Sequence, residues 1–194
     1  MGDIKKIKKK YSKPSHPWRI ERITEENQIT KEYGIPRKTE LWKAIAKLGS
    51  FKNQAKALSA KTDKQADVER INLVKKLESL NLIKETNLEA ILGISLKDVL
   101  NRRLQTIVFK KGFAKTMSQA RQMITHRHVL INGTINSSPA YLVRLSEESS
   151  IEISPKSPFY DTNHAERIKE STKRKARVAV DKNKFGGGRK GRRG

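Results

Sequence analysis

The chain has 194 residues, room for one good-sized domain or two small ones, and its 43 lysines and arginines against 20 acidic residues give a net charge of +23. A polyanion is the first partner to consider, because neutralising phosphates releases condensed counterions; an anionic membrane or a merely basic surface is the alternative. The absence of cysteine excludes disulfides, thiolate zinc sites and cysteine nucleophiles. No apolar run approaches the roughly 20 residues that span a bilayer.

The N-terminal segment is predicted to be an extended basic arm. Residues 1–19 carry seven lysines and arginines and one aspartate, together with Pro14 and Pro17, which resist helix formation. Trp18 is a candidate anchor for this arm. No apolar stretch follows the basic residues, so the segment is not a secretory signal, and we expect a cytoplasmic protein. Further on, the run 33–36, Tyr-Gly-Ile-Pro, predicts a turn before a helix.

Three helices are predicted over the next 55 or so residues. The first begins at Thr39, the second covers 63–80, and the third covers 88–92 and ends at Gly93. The predicted apolar stripes of the first two are Leu41, Ile45, Leu48, Ala55 and Leu58, then Val68, Ile71, Val74 and Leu77. Lys43, Lys47, Lys52 and Lys56 lie off the first stripe. A helical unit this small is marginal alone, so we expect it to pack against its neighbour.

The following residues predict a small α+β unit. The pattern from Ser95 to Asp98 is a capping box, and the run 116–119 repeats it, so helices begin near 96 and 117, with Gly112 closing the first. The strand 129–131 then runs into an Asn-Gly hairpin turn. Further candidate strands lie at 141–145 and 151–153.

The C-terminal segment has no apolar periodicity. Residues 164–194 hold twelve lysines and arginines against three acidic residues and end in a glycine- and arginine-rich run. In isolation this tail is expected to be disordered. The predicted fold class is therefore α+β, with a helical subdomain packed on a small domain of two helices and short antiparallel strands. The predicted divisions are a basic arm at 1–38, the helical subdomain at 39–94, the α+β domain at 95–157 and a flexible basic tail at 158–194.

The helices near 96 and 117 are predicted to form a donor-rich surface. Leu100, Leu104, Ile107 and Val108 make the buried stripe of the first helix, which leaves Arg102, Thr106 and Lys110, four residues apart, on an exposed face. In the second helix, Ser118, Gln119, Arg121, Gln122, Thr125 and His126 project outward. An ordinary solvated face is the alternative interpretation. The absence of any acidic residue over the 48 positions between Asp98 and Glu147 favours contacts to RNA backbone and sugar hydroxyls.

Other chemistry finds no support in the sequence. His126 and His128 lie two positions apart, but His16 and His164 are distant, so a zinc site is not predicted. Neither a glycine-rich phosphate loop before a helix nor a nucleophile elbow occurs. We therefore predict no metal, no cofactor and no catalytic residue.

The same residues resemble the RNA-binding domain named after small-subunit ribosomal protein four. The resemblance rests on the run from Arg102 to Lys115, on Ala120-Arg121, and on the run from His126 to Gly133. The flanking runs 32–34, 40–42, 91–93 and 157–159 are similar to the archaeal and eukaryotic branch of that ribosomal protein family. The cysteine cluster that holds zinc in many bacterial members has no counterpart here.

The resemblance implies a structural constituent of the small ribosomal subunit that binds rRNA early, nucleates assembly of the subunit body and contributes to translational accuracy. Its implied partners are rRNA, neighbouring ribosomal proteins and messenger RNA at the entry channel, with no membrane and no small-molecule substrate. With the donor surface above, it gives the predicted RNA-binding set: Arg102, Arg103, Thr106, Lys110, Lys111, Lys115, Ser118, Gln119, Arg121, Gln122, His126, Arg127 and His128.

Two alternatives stay open at this point. One is a soluble translation or stress factor that uses the same domain to hold ribosomal subunits or tRNA. The other is an RNA-modifying enzyme or a tRNA synthetase, classes that append this domain to a catalytic one. The rest of this chain is too small to house such an active site, which disfavours the enzyme.

Overall fold

The structure is a computed structural model that describes residues 9–84, 87–161 and 164. Its helices are α1 (Ile20–Glu32), α2 (Lys38–Ser59), α3 (Lys64–Ser79), α4 (Leu88–Gly93), α5 (Leu96–Asn101), α6 (Leu104–Lys110), α7 (Met117–Thr125) and α8 (Leu145–Glu148). Its strands are β1 (Val129–Ile131), β2 (Thr134–Ile135) and β3 (Ile151–Ile153), and a 3₁₀ turn covers Pro158–Tyr160. The first eight residues of the predicted arm and nearly all of the predicted tail lie outside the described residues.

The arm segment differs from its prediction because it contains α1. This helix is mostly polar, and its buried residue is Glu26 rather than an apolar side chain, so periodicity gave no indication of it. The predicted anchor is also wrong, since Trp18 is 88% exposed. Tyr11 contacts the body instead, with its ring centroid 6.0 Å from that of Trp42 on α2.

The helical unit forms where predicted. Phe51, Ala55 and Leu58 of α2 pack with Leu73, Val74 and Leu77 of α3 and with Ile91 of α4. Two predicted stripes were partly wrong, because Ile45, Val68 and Ile71 are exposed. The buried face of α3 is centred on Leu73 and Leu77, so it is rotated relative to the predicted stripe. Ala66 is buried on this face, whereas Val68 is not.

The helix predicted from residue 96 is two helices. Ser95 and Asp98 form the predicted capping box of α5. The chain then leaves helical geometry at Arg103, whose φ of −69° and ψ of 142° are extended. There Arg103 pairs with Leu142 in an isolated antiparallel bridge, and the Leu104 amide donates to the Tyr141 carbonyl at 2.8 Å. Tertiary hydrogen bonding therefore interrupts a segment that is helical by local pattern.

The C-terminal half folds around a three-stranded antiparallel sheet in the order β2-β1-β3. Asn132 and Gly133 have φ values of 50° and 73°, the positive values that a type I′ hairpin turn requires. The strand predicted at 141–145 is reduced to the single bridge at Leu142, and α8 follows. The predicted stripe is buried: Leu104, Ile107 and Val108 pack against α7 and the sheet, while Leu100 belongs to a separate cluster.

Buried side chains join the two units. Leu41 of α2 packs with Leu100 and Tyr33, while Val99 belongs to the core of the helical unit. Gln105 is 1% exposed, and its Nε2 lies 3.2 Å from the Tyr33 carbonyl, 3.1 Å from that of Gly34 and 2.9 Å from that of Met117. The predicted α+β class and the packing of the helical unit on the α+β domain are confirmed.

Candidate nucleic-acid interface

The arginines at the break between α5 and α6 point inward. The Arg103 side chain is 5% exposed, and its Nη2 donates to Glu40 Oε2 at 2.8 Å. Arg102 Nη1 donates to Glu148 Oε2 at 2.8 Å, and its Nη2 donates to the Val143 carbonyl at 3.1 Å. Both arginines therefore hold the fold together.

The predicted exposed face of Arg102, Thr106 and Lys110 is consequently wrong for its first two members. Thr106 is buried, and its hydroxyl donates to the Leu100 carbonyl at 2.8 Å. The prediction assumed an unbroken helix, in which residues four apart share a face. The extended residue at 103 separates Arg102 from the helix face of α6. Within α6, Thr106 lies near the start and is buried where it bonds to Leu100, whereas Lys110 is the last residue and is exposed.

Glu40 links α2 to the α+β domain through two arginines. Besides Arg103, it accepts from Arg121 of α7 at 3.0 Å and 2.7 Å through the two terminal nitrogens of the guanidinium. Burial alone would raise the pKa of Glu40, but the hydrogen bonds and charges of Arg121 and Arg103 outweigh it and hold that pKa below its ordinary value of 4.5. This bidentate arrangement fixes the Arg121 guanidinium in one orientation.

Beside this clamp lies a cavity of about 300 Å³, which we call the α2–α7 groove. Its lining includes Arg121, Arg103, Glu40, Lys43 and Lys47, and its far wall is the turn at 138–140. Lys43 and Lys47 are exposed and one helical turn apart. Partial desolvation and the nearby charge of Lys76 lower the pKa of Lys47. The smaller of the two causes, the charge of Lys76, is a positive local potential that a bound anion would relieve.

A second cavity, of about 610 Å³, lies between the end of α3 and α6; we call it the α3–α6 groove. It is lined by Lys84, Lys110 and Lys111, by the amides of Asn81 and Asn101, and by Asp98, Arg102 and Glu148 among others. The Lys110 ammonium is 3.2 Å from Asn101 Oδ1. The two grooves share no lining residue. The single donor-rich surface predicted for the two helices is therefore wrong, because Lys110 and Arg121 line different grooves.

The start of α7 is capped from within. The Thr116 hydroxyl accepts from the Gln119 amide at 3.1 Å, and Gln119 Oε1 accepts from the Lys115 amide at 2.6 Å. The predicted Thr116 cap is confirmed. The second bond of a capping box goes to the Lys115 amide rather than to that of Thr116. Ser118 and Gln122, one turn apart, are exposed on the outer face.

The end of α7 places an arginine at a positive φ. Arg127 and His128 donate their amides to the Ile124 and Met123 carbonyls, the paired bonds of a Schellman motif, with Arg127 at a φ of 65°. The corresponding residues after α1, α3 and α6 are Gly34, Asn81 and Gly112. These types tolerate positive φ well, whereas an arginine there costs about 1–2 kcal/mol. An exposed arginine in a strained conformation is a reason to suspect a binding role.

Three aromatic rings lie next to one another at the end of α7. The His126 and His128 rings are stacked with centroids 6.2 Å apart, and Phe159 meets His128 edge-on at 5.2 Å. Desolvation and the neighbouring His126 lower the pKa of His128 below its ordinary 6.5, so its ring is neutral at physiological pH. His128 can therefore contribute stacking and hydrogen bonding there but no charge.

The predicted RNA-binding set divides by burial into three groups. Six of its members are exposed, namely Lys110, Lys115, Ser118, Gln122, His126 and Arg127. Four are half-buried, namely Lys111, Gln119, Arg121 and His128, and three are buried, namely Arg102, Arg103 and Thr106. The prediction missed Glu40, which lies 81 residues from Arg121 and had no local pattern to reveal it.

Metal-binding clusters and membrane-spanning helices are both absent from the described part of the chain. Within residues 9–84, 87–161 and 164, no three histidine or acidic side chains cluster closely enough to hold a metal ion. Over the same residues, no helix combines the length and apolarity needed to cross a membrane.

Comparison with known proteins identifies the family. An S4 domain model matches residues 102–149, from the break before α6 to just after α8. The small ribosomal subunit protein uS4 of Methanococcus maripaludis strain C7 is 42% identical over 169 residues, which cover 86% of this chain and 95% of the relative. The uS4 proteins of strains C6 and C5 match over the same shares at the same identity. This chain belongs to the uS4 family. In this uS4 chain, the α2–α7 groove and the α3–α6 groove each combine residues inside the matched S4 domain with residues outside it.

Proposed function

We propose that this uS4 protein is a structural constituent of the small ribosomal subunit that binds rRNA through the two grooves and the end of α7. The 42% identity to small ribosomal subunit proteins over most of the chain carries this proposal. The grooves supply the physical means, since each collects several cations at a boundary between the two units.

The α2–α7 groove is suited to a phosphate backbone. Glu40 holds the Arg121 guanidinium in place, so little side-chain entropy is lost when an anion arrives. Lys43 and Lys47, which also line the groove, add two point charges. Because these donors read phosphates and sugar hydroxyls, recognition depends on RNA shape more than on sequence.

The architecture supports a proposal for the finer roles. A body whose two units are locked by Glu40 and Gln105 presents its grooves in fixed relation, which suits an early binder that orders converging RNA helices. We propose on this basis that the protein nucleates assembly of the subunit body in the cytoplasm. Contacts with neighbouring ribosomal proteins and with messenger RNA, and a contribution to decoding accuracy, belong to the same proposal. No catalytic role is proposed.

The groove assignment is tested by the salt dependence of binding to small-subunit rRNA. Removing one phosphate contact lowers the slope of log affinity against log salt by about 0.7–0.9. We expect Lys43→Ala to produce that change. Lys64→Ala is the matched control, because it removes the same charge from the start of α3. This position follows the C-terminal end of α2, which is about 24 Å from Lys43 along the helix axis. Equal effects of the two substitutions would show non-specific attraction and contradict the groove.

The structural role is tested by retention in the subunit. We expect one copy per purified small subunit, retained through a high-salt wash. Release at moderate salt with substoichiometric occupancy would instead identify a soluble ribosome- or tRNA-associated factor. Nucleoside modification or aminoacylation by the purified chain would identify an enzyme.

A further inference from the structure

Trp18 has no structural role in the described part of the molecule that explains its position. Its side chain is 88% exposed, and Ile20 beside it is 75% exposed. Trp42, the other tryptophan of the chain, lies against Tyr11 and is hydrogen-bonded at its Nε1. A large aromatic surface left in water two residues from another apolar side chain is typical of a binding site.

The backbone that presents Trp18 is held by a chain of polar contacts. Arg22 Nη2 donates to the Pro17 carbonyl at 2.8 Å and to the His16 carbonyl at 3.3 Å, the two carbonyls directly before Trp18. The other terminal nitrogen of Arg22 donates to the buried Glu26, which also accepts from Trp42 Nε1 at 3.1 Å. The exposed ring is therefore mounted on a turn that is tied to α1 and α2.

The surroundings of Trp18 combine apolar and cationic surface. An adjoining cavity of about 420 Å³ is lined by Pro14, Pro17 and Trp42 and by Lys13, Arg22 and Lys38, among others. Its one carboxylate, Glu26, is already engaged by Arg22 and Lys38. The matching occupant has a flat apolar part for the ring and negative charge for the lysines. An unpaired nucleotide has both, whereas an apolar protein surface would supply no charge to balance three cations that share one carboxylate.

We propose that Trp18 is a stacking platform for an unpaired RNA base, with Lys13 and Lys38 contacting the phosphates that flank it. The proposal rests on the RNA-binding function above and adds a second kind of contact. The grooves meet backbone, while Trp18 meets a base that has left its helix. Arg22 is a positioning residue, since it holds the turn and leaves the ring to make the contact.

The test uses the full chain, single-stranded oligoadenylate and an abasic oligoribonucleotide of equal length. The emission of Trp18 is obtained as the difference between the wild-type protein and Trp18→Phe. We expect oligoadenylate to quench that emission strongly and the abasic strand to quench it little. Trp18→Ala should lose roughly fivefold or more in affinity for oligoadenylate. Its salt slope should stay unchanged because no charge is removed, and Trp18→Phe should keep most of the affinity.

Two further variants distinguish base stacking from apolar contact and from charge attraction. Ile20→Ala removes the neighbouring exposed apolar side chain and should leave oligoadenylate affinity unchanged. Arg22→Lys keeps the charge but cannot bridge Glu26 and both carbonyls, so we expect weaker quenching at saturation with an unchanged salt slope. Full quenching in Arg22→Lys would remove the positioning role of Arg22.

Other results would overturn the stacking site and leave the proposed function standing. One is normal, salt-dependent RNA binding with unquenched Trp18 and wild-type affinity in Trp18→Ala. Another is a loss of retention in the subunit for both Trp18→Ala and Ile20→Ala with oligoadenylate affinity intact, which would show that the patch docks an apolar protein surface. Failure of the wild-type chain to bind any RNA would overturn both proposals.

Discussion

Two arginines in residues 99–146, a stretch without acidic residues, lie in opposite environments. Arg103 is buried and neutralised by Glu40, whereas Arg127 is exposed at the end of α7 in a strained conformation. Neither has an acidic neighbour in the sequence, but Arg103 finds its carboxylate 63 residues earlier, and Arg102 finds one 46 residues later. A stretch free of acids along the chain is therefore not free of acids in space. The acid-free stretch supplies both the junction of the fold and its exposed cationic surface.

The first prediction tests the buried contact between Glu40 and Arg103. Glu40→Gln should destabilise the protein by about 2–4 kcal/mol, because it leaves the Arg103 guanidinium buried without a counter-charge. The upper end of the range for buried pairs is not expected, since Glu40 and Arg121 retain some solvent contact. Urea unfolding followed by circular dichroism measures the change.

Glu25→Gln is the control for Glu40→Gln. It removes the same charge from an exposed position of α1 and should leave stability within about 0.5 kcal/mol of the wild type. Equal stability of the two variants would mean that Glu40 does not hold the units together.

The second prediction concerns the other connection between the units, the packing of Gly34 against Gln105 and Met117. A Cβ at Gly34 would lie 2.8 Å from Met117 Cβ and 3.2 Å from Gln105 Nε2, at a φ of 57°. Gly34→Ala should therefore cost about 1–3 kcal/mol from strain and overpacking. Gly49→Ala is a matched control within α2, where an added Cβ meets nothing within 4 Å, and it should stabilise by about 0.5–1 kcal/mol. Chemical denaturation of the two variants should shift in opposite directions.

Local patterns predicted most of the elements. Ser95 and Asp98 cap α5, Thr116 caps α7, and Asn132 and Gly133 form the turn between β1 and β2, because each depends on a few adjacent residues. The helix α1 escaped prediction because a polar helix with a buried glutamate has no apolar stripe. The break before α6 escaped because Tyr141, which accepts the Leu104 amide, is distant in sequence.

The candidate interface was less predictable than the fold. Exposure of a charged side chain depends on its partners, and the partners of Arg102, Arg103 and Arg121 come from α8 and α2. The strain at Arg127 depends on a backbone angle that sequence does not show. Lys43 and Lys47 were predicted only to lie off the apolar stripe of their helix, and the fold brings them into the groove of Arg121.

The third prediction is a pH dependence of stability that arises from the carboxyl groups of Glu40 and Glu26. Hydrogen bonds and charges outweigh the burial that would otherwise raise the pKa values of Glu40 and Glu26, and hold both below the ordinary 4.5. Their contribution to stability is therefore complete above about pH 4.5 and is lost as pH falls through the lowered folded-state values. The free energy of unfolding should decline as pH falls below about 4.5. The decline should be shallower in Glu40→Gln, and an identical profile in that variant would show that Glu40 does not contribute.

The last and smallest effect on stability is expected at the exposed site. Arg127→Gly should leave the free energy of unfolding unchanged or raise it by up to about 1 kcal/mol, because glycine adopts a φ of 65° without strain. The same change should lower the salt slope of RNA binding by about 0.7–0.9, since a phosphate contact is lost. Arg127→Ala removes the charge but keeps a Cβ in the left-handed region, so it should match the RNA defect without the gain in stability. Stability and RNA binding are therefore expected to change independently at this position. A loss of stability in Arg127→Gly with RNA affinity intact would instead make Arg127 a structural residue like Arg103.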